Sequence, residues 1–203
     1  MTLAALLTAG CAASTNPLSG PGSEDLCCAS LAERGVERLA SPDDLRFEID
    51  EGTPSFAFDT GRSPYRTFRL PEGGPYTLTL SSYVVGDPPT WQVFSPVVLV
   101  LDEARRPVRS VGPEPFRWDS ATGDETPGWR KKLEATLQAG GPGERFLIVH
   151  TTEALLARTS AVEMPNASYA VAAGVPVMVP FGTHGVAVTS ARSGKLRLRV
   201  SAP

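Results

Sequence analysis

The chain has 203 residues, enough to bury roughly 70% of its unfolded surface in one cored domain but too few for two ordinary domains and a long linker. Its 19 Lys and Arg against 22 Asp and Glu leave a net charge of -3, which excludes the basic footprint of a nucleic-acid partner and any polyacidic tail. The 19 Pro and 19 Gly suit many short strands joined by turns. The longest strongly apolar runs, such as residues 96–101, are strand-sized and well under the roughly 18 residues of a membrane-crossing helix.

Residues 1–10 are an uncharged apolar run that ends in Leu7-Thr8-Ala9-Gly10, directly before Cys11. This resembles the end of a bacterial lipoprotein signal. The resemblance implies that residues 1–10 are a signal-peptide remnant, cut after Gly10. It also implies that Cys11 carries a diacylglycerol on its thiol and an acyl chain on its new amine. Such an anchor is stable because each buried CH₂ contributes about 0.8 kcal/mol. A basic n-region is missing and Thr8 stands where Leu is commoner, so the true start codon is expected upstream of Met1. Ala12, with no Asp in its place, sends an anchored protein to the outer membrane under the usual sorting rule.

Residues 11–26 are expected to be a lipidated tether, rich in Ser, Thr, Asn, Pro and Gly, and residues 27–203 a single folded domain. The adjacent Cys27 and Cys28 admit three states: a buried pair opening a helical turn near residues 28–38, a strained vicinal disulfide, or mixed disulfides. Their spacing matches no metal motif.

Leu45, Phe47 and Ile49 then alternate with charged residues, and Phe56 and Phe58 follow a Gly-Thr-Pro turn; both are period-two strands. Residues 65–70 and 76–80 flank Pro71-Glu72-Gly73-Gly74-Pro75 and predict a hairpin. Residues 97–101 are apolar on both faces and predict a central strand, turning through residues 102–107 into a strand over 108–111. Residues 113–128 read as a loop. Trp129, Leu133 and Leu137, at fourfold spacing after Thr126-Pro127-Gly128, predict a short helix over 129–139. A strand over 145–151 follows, and Thr152 with Glu153 caps another short helix through Arg158. Residues 185–190 and 195–200 predict a closing hairpin around Arg192-Ser193-Gly194. About nine strands, one or two short helices and no βαβ rhythm predict a mainly β fold, an antiparallel β-sandwich of jelly-roll or immunoglobulin-like topology.

Several of these segments together resemble the maltose-operon periplasmic protein (MalM) family. They are Cys27-Cys28-Ala29-Ser30-Leu31, Ser55-Phe56-Ala57-Phe58, Gly61-Arg62-Ser63, Phe68-Arg69-Leu70-Pro71, residues 94–102 and 144–152, His184-Gly185 and Gly194-Lys195-Leu196. The resemblance implies a periplasmic or outer-membrane location and an association with carbohydrate uptake, chiefly of maltodextrin, and it brings no catalytic residues. A maltodextrin or another envelope protein is therefore the expected partner.

No chemistry-bearing motif accompanies these segments. His150 and His184 have no H-E-x-x-H or C-x-x-C company, and neither a nucleophile elbow nor a phosphate loop occurs, so no catalytic residue, metal or cofactor is expected. Asp119, Asp124 and Glu125 lack EF-hand spacing and read as a solvated cluster. Asn166-Ala167-Ser168 matches a glycosylation sequon that a bacterial chain ordinarily leaves unmodified. The candidate binding residues are aromatic: Trp91, Trp118 and Trp129, with Tyr83 near the first, could stack on sugar rings. The alternative is a purely structural, outer-membrane-anchored interaction domain with no small ligand.

Overall fold

Alternate residues of an extended chain face opposite sides, so the period-two segments become strands with one side on the core. A computed structural model describes residues 35–87, 89–121, 131–172 and 175–202. In chain order the first strands are β1 (Val36–Arg38), β2 (Asp43–Ile49), β3 (Ser55–Phe58), β4 (Gly61–Arg69) and β5 (Tyr76–Tyr83). Then come β6 (Gln92–Phe94), β7 (Val97–Leu101), β8 (Pro107–Val111), β9 (Arg117–Ser120), β10 (Lys131–Ala139) and β11 (Phe146–His150). One turn of helix, α1 (Glu153–Leu156), precedes β12 (Thr159–Ala172), β13 (Val175–Ala191) and β14 (Gly194–Ser201).

The first sheet runs β1-β4-β11-β7-β8, with β3 paired to the start of β4; the second runs β2-β14-β5-β10-β9. They pack face to face. The main core draws Phe68, Val98, Val100, Leu147 and Val149 from the first sheet and Phe47, Leu78, Leu80, Leu196 and Leu198 from the second. Across the gap the Phe47 and Phe68 rings meet edge to face, centroids 5.0 Å apart. The third sheet, β12-β13-β6, is mostly a long hairpin whose base covers a smaller cluster of Val84, Val93, Val162, Met164 and Val188. Pairing is antiparallel except for β1 with β4 and β6 with β13. The fold is thus mainly β and sandwich-like, as the alternation predicts.

Five local expectations are corrected. Residues 131–139 are strand, not helix: Lys132 to Ala139 pair with β5 and Lys131 to Glu134 with β9. Leu133 and Leu137 fit a helical period, but Ala135 and Ala139 complete a two-residue alternation, and all four pack on the main core. Arg117–Ser120 is strand within the expected loop, and residues 36–38 are strand where a helical turn was expected. The pair β4 and β5 forms no hairpin, because Tyr65–Arg69 bonds to β11 in one sheet and β5 to β10 and β14 in the other. The supposed closing hairpin likewise parts: β13 pairs with β12 and β6, while β14 pairs with β2 and β5. In both cases the turn carries the chain from layer to layer. Among the described residues there are fourteen strands rather than about nine. The β7–β8 hairpin and the Thr152 cap, whose Oγ1 accepts the Leu155 N–H at 3.2 Å, match expectation.

Candidate functional site

Among the concavities of the sandwich, two are lined by contrasting chemistry. The first lies on the outer face of the first sheet. Outward-facing residues there, Phe56, Phe58, Tyr65, Leu99, Leu101, Phe146 and Ile148, form a second apolar cluster partly roofed by β3. The β3–β4 turn is fastened beside it: the Thr60 carbonyl accepts the Glu153 N–H at 3.2 Å. Gly61, at φ +105, passes so close to Glu153 that a Cβ would lie 2.4 Å from its Cγ. Only glycine fits both that backbone and that approach.

Beyond this turn opens a cleft of about 430 Å³ floored by Val97, Leu99 and Val108 and walled by Phe58 and His150. The His150 ring stacks on Phe58 with centroids 4.1 Å apart and planes 15° from parallel. Its Nδ1 lies 2.8 Å from the Thr151 carbonyl, which assigns the proton to Nδ1 and leaves Nε2 bare. Burial drives the His150 pKa down to about 4, against the opposing pull of the Thr151 carbonyl. Its imidazole is therefore neutral at neutral pH. Arg109 at the rim is held by Glu144, Nε to Oε1 at 2.7 Å, and also donates to the Gln138 carbonyl. The cleft is mainly apolar, and Asp59, Thr60 and Ser110 also line it.

The second concavity, about 150 Å³, lies where the base of β12–β13 meets α1 and the loops around Pro96 and Pro113. Phe116, Leu133 and Leu155 supply apolar surface, and Ser95, Arg158, Ser160 and Ser190 supply hydroxyls and a guanidinium. The Ser95 and Ser190 hydroxyls lie 2.6 Å apart, and the Ser190 N–H donates to the Arg158 carbonyl at 3.0 Å. These contacts tie the pocket wall to the hairpin base. Hydroxyls beside an apolar floor can bind a polyol ring.

The aromatic candidates are not gathered into one groove. Trp91 and Trp118 are both half-buried against the cluster beneath β12–β13, with Trp118 paired across the strands to Leu133. The Trp91 Nε1–H is buried with no hydrogen-bond partner among the described residues. Tyr83 is buried at 5% exposure. Trp129, Cys11, Cys27, Cys28, Asp124 and Glu125 lie outside the described residues. Asp119, in β9, is 3.9 Å from the Lys132 ammonium, and His184, in β13, is exposed. Asn166-Ala167-Ser168 lies in β12. Among the described residues no group of three or more His, Cys, Asp or Glu could hold a metal ion, and no helix is long and apolar enough to cross a membrane. Neither Phe58 with His150 nor Ser95 with Arg158 was singled out from sequence, since their juxtaposition exists only once strands distant in the chain are paired.

The family model described as maltose operon periplasmic protein precursor (MalM) matches residues 60–200. The chain belongs to the MalM family. The matched span runs from the β3–β4 turn into β14 and so includes nearly all of both concavities. Membership makes the protein a periplasmic, maltose-operon-associated one. No curated protein matches the chain, and no solved structure matches it.

Proposed function

We propose that the protein is a noncatalytic envelope lipoprotein, held to the outer membrane through Cys11, that assists maltodextrin uptake by binding the sugar or another envelope protein. The observation that carries this reading is the family match over residues 60–200. The serine- and arginine-lined pocket supports the sugar arm: its mixed lining and size suit a single terminal sugar ring, with Arg158 and Ser160 donating to hydroxyls. Trp91 and Trp118 stand at the neighbouring cluster as stacking candidates, together with Trp129. The anchor rests on Leu7-Thr8-Ala9-Gly10-Cys11.

Calorimetry of the protein against maltose to maltoheptaose tests the sugar arm. Binding tighter than roughly 1 mM, about -4 kcal/mol, is expected. Arg158→Ala or Ser160→Ala should weaken it while leaving the melting temperature nearly unchanged, and a Trp that stacks on the sugar is told from one that packs the core by the same pair of readouts, since loss of the latter lowers the melting temperature instead. No heat at that concentration sinks the arm. Mass spectrometry of the mature protein from a Gram-negative host tests the anchor, and an intact Met1 or a free Cys11 thiol rejects it.

A second reading, an interaction domain without a small ligand, draws support from the cleft beside His150, whose apolar lining suits a protein side chain. Pull-down from an envelope extract, followed by Val108→Asp at the half-exposed cleft floor, separates it from the first. Loss of the captured protein with sugar binding intact would favour it.

A further inference from the structure

Among the described residues three enclosed side-chain atoms lack a hydrogen-bond partner: Tyr83 Oη, Trp91 Nε1 and Thr151 Oγ1. His150 differs from them. Its Nδ1 is taken by the Thr151 carbonyl, no described residue partners its Nε2, and Nε2 is not among the enclosed atoms. The ring is only 4% exposed, and it walls the cleft beside Phe58. The opening left to Nε2 is therefore that of the cleft.

The cleft sorts its lining by depth. Phe58, Val97, Leu99 and His150 are buried, whereas Asp59, Thr60 and Ser110 are exposed and keep their polar groups in water. The polar side-chain atom at depth is thus a single acceptor, on a ring that burial keeps neutral. An acceptor shut off from water costs free energy until a donor reaches it.

Which donor fits follows from what else each group brings. A carboxylate brings only acceptors and would face the Nε2 lone pair. An ammonium brings three donors and a charge to one neutral acceptor. An amide or a hydroxyl brings lone pairs of its own, which the apolar depth leaves unpaired. An indole N–H is a donor only, carried on a large apolar ring. It satisfies Nε2 and leaves no polar atom over. At about 430 Å³ the cleft lies within the ~300–1,000 Å³ of ordinary ligand sites and has room for the bicyclic ring.

The mouth of the cleft sets what carries the ring. Val108, 46% exposed, and Ser110 lie on β8, the outermost strand of the first sheet, where an extended segment of another chain can lie. Arg109 is already held by Glu144 and Asp59 adds a negative charge, so no uncommitted cation lines the cleft to receive the carboxylate of a free amino acid.

We propose that the cleft receives the indole ring of a tryptophan side chain from a partner protein, its N–H donating to His150 Nε2 and its ring lying over Val97, Leu99 and Val108. This rests on the reading of the cleft as a protein-interaction site and names the group that enters it. Size alone would admit any large apolar side chain; the Nε2 acceptor selects tryptophan over phenylalanine.

The test titrates N-acetyl-tryptophanamide into the whole chain at neutral pH, followed by methyl and imidazole resonances. Shifts centred on Val97, Leu99, Val108 and His150 are expected, with affinity about tenfold tighter than for the analogue methylated on the indole nitrogen, which keeps the ring and loses the donor. His150→Phe keeps a ring against Phe58 and removes Nε2, so it should bind the two probes equally. Val108→Asp should weaken both, and circular dichroism checks that each variant folds. No binding at roughly 10 mM, shifts centred elsewhere, equal affinity for the two probes in the wild-type chain, or a preference that survives in His150→Phe overturns the proposal. So does free indole that binds while the amide does not, which would make the ligand a small molecule. Capture from an envelope extract is scored separately. A captured protein that N-acetyl-tryptophanamide fails to displace ends this proposal and leaves the interaction reading standing, whereas binding that depends on the indole N–H with nothing captured removes that reading and leaves the indole site.

Discussion

His150 titrates far below the ordinary range of a histidine because its ring is packed on Phe58 at 4% exposure. The ordinary value is 6.5 and the folded value is about 4. Between these the unfolded chain binds more protons than the folded one, so stability falls as pH drops through that window and is unaffected by this group above it. At 1.36 kcal/mol per unit the loss amounts to about 3 kcal/mol. Thermal unfolding from neutral pH down to about 4 should show that slope, and His150→Phe should flatten it; an equal slope in the variant would assign the pH dependence elsewhere. The carboxylates act lower down. Burial works to raise Glu134, but Lys132 and Ser81 more than offset it, while Arg197 holds Asp44 down. Their stabilisation is complete above the ordinary carboxylate range and is lost only as pH falls below it. Gly194 is constrained by space: a Cβ there would lie 2.6 Å from that of the fully buried Phe94. Gly194→Ala should cost about 1–3 kcal/mol, measured by denaturant unfolding.

Strands were legible wherever alternation was strict, as at Phe47 and Ile49 or Phe56 and Phe58, since period two has one structural meaning. Strand β10 was not, because leucines four apart satisfy both periods, and its neighbours in two adjoining strands decided the outcome. The long β12–β13 hairpin was passed over for a different reason. Its alternation is blurred by apolar residues at both parities, and the signal that could have found it is the unbroken lack of charge over residues 164–191. Met164, 5% exposed at the ribbon base, is expected to hold that element to the body. Met164→Ala should cost about 2–5 kcal/mol. Amide exchange should rise first at the base of β12 and β13, while β2, β5 and β14 stay protected; uniform loss of protection would mean the ribbon is not a separate unit.

At the scale of the molecule the two main sheets share one core, so a cavity there weakens both. Phe68 is fully buried and faces Phe47 across the gap. Phe68→Ala should therefore cost about 3–5 kcal/mol in one cooperative transition seen alike by circular dichroism and tryptophan fluorescence. Two separate transitions would show that the sheets unfold independently.

The sequence by itself determined that the protein is β-rich, that its core is aliphatic and phenylalanine-lined, that a family resemblance runs through Phe56, Phe68 and the strand at Val97, and that Thr152 caps α1. These are local properties: alternation, turn residues and caps act over a few positions and are written there. Which strands pair was decided only by tertiary structure. The turns after β4 and β13 look like hairpin turns, yet each carries the chain into another sheet, because burying the apolar faces of the sheets against one another outweighs pairing with the nearest strand in sequence. The same assembly brings Phe58 to His150 and Ser95 to Ser190. Neither concavity has a sequence motif, since its lining comes from segments that only long-range packing brings together.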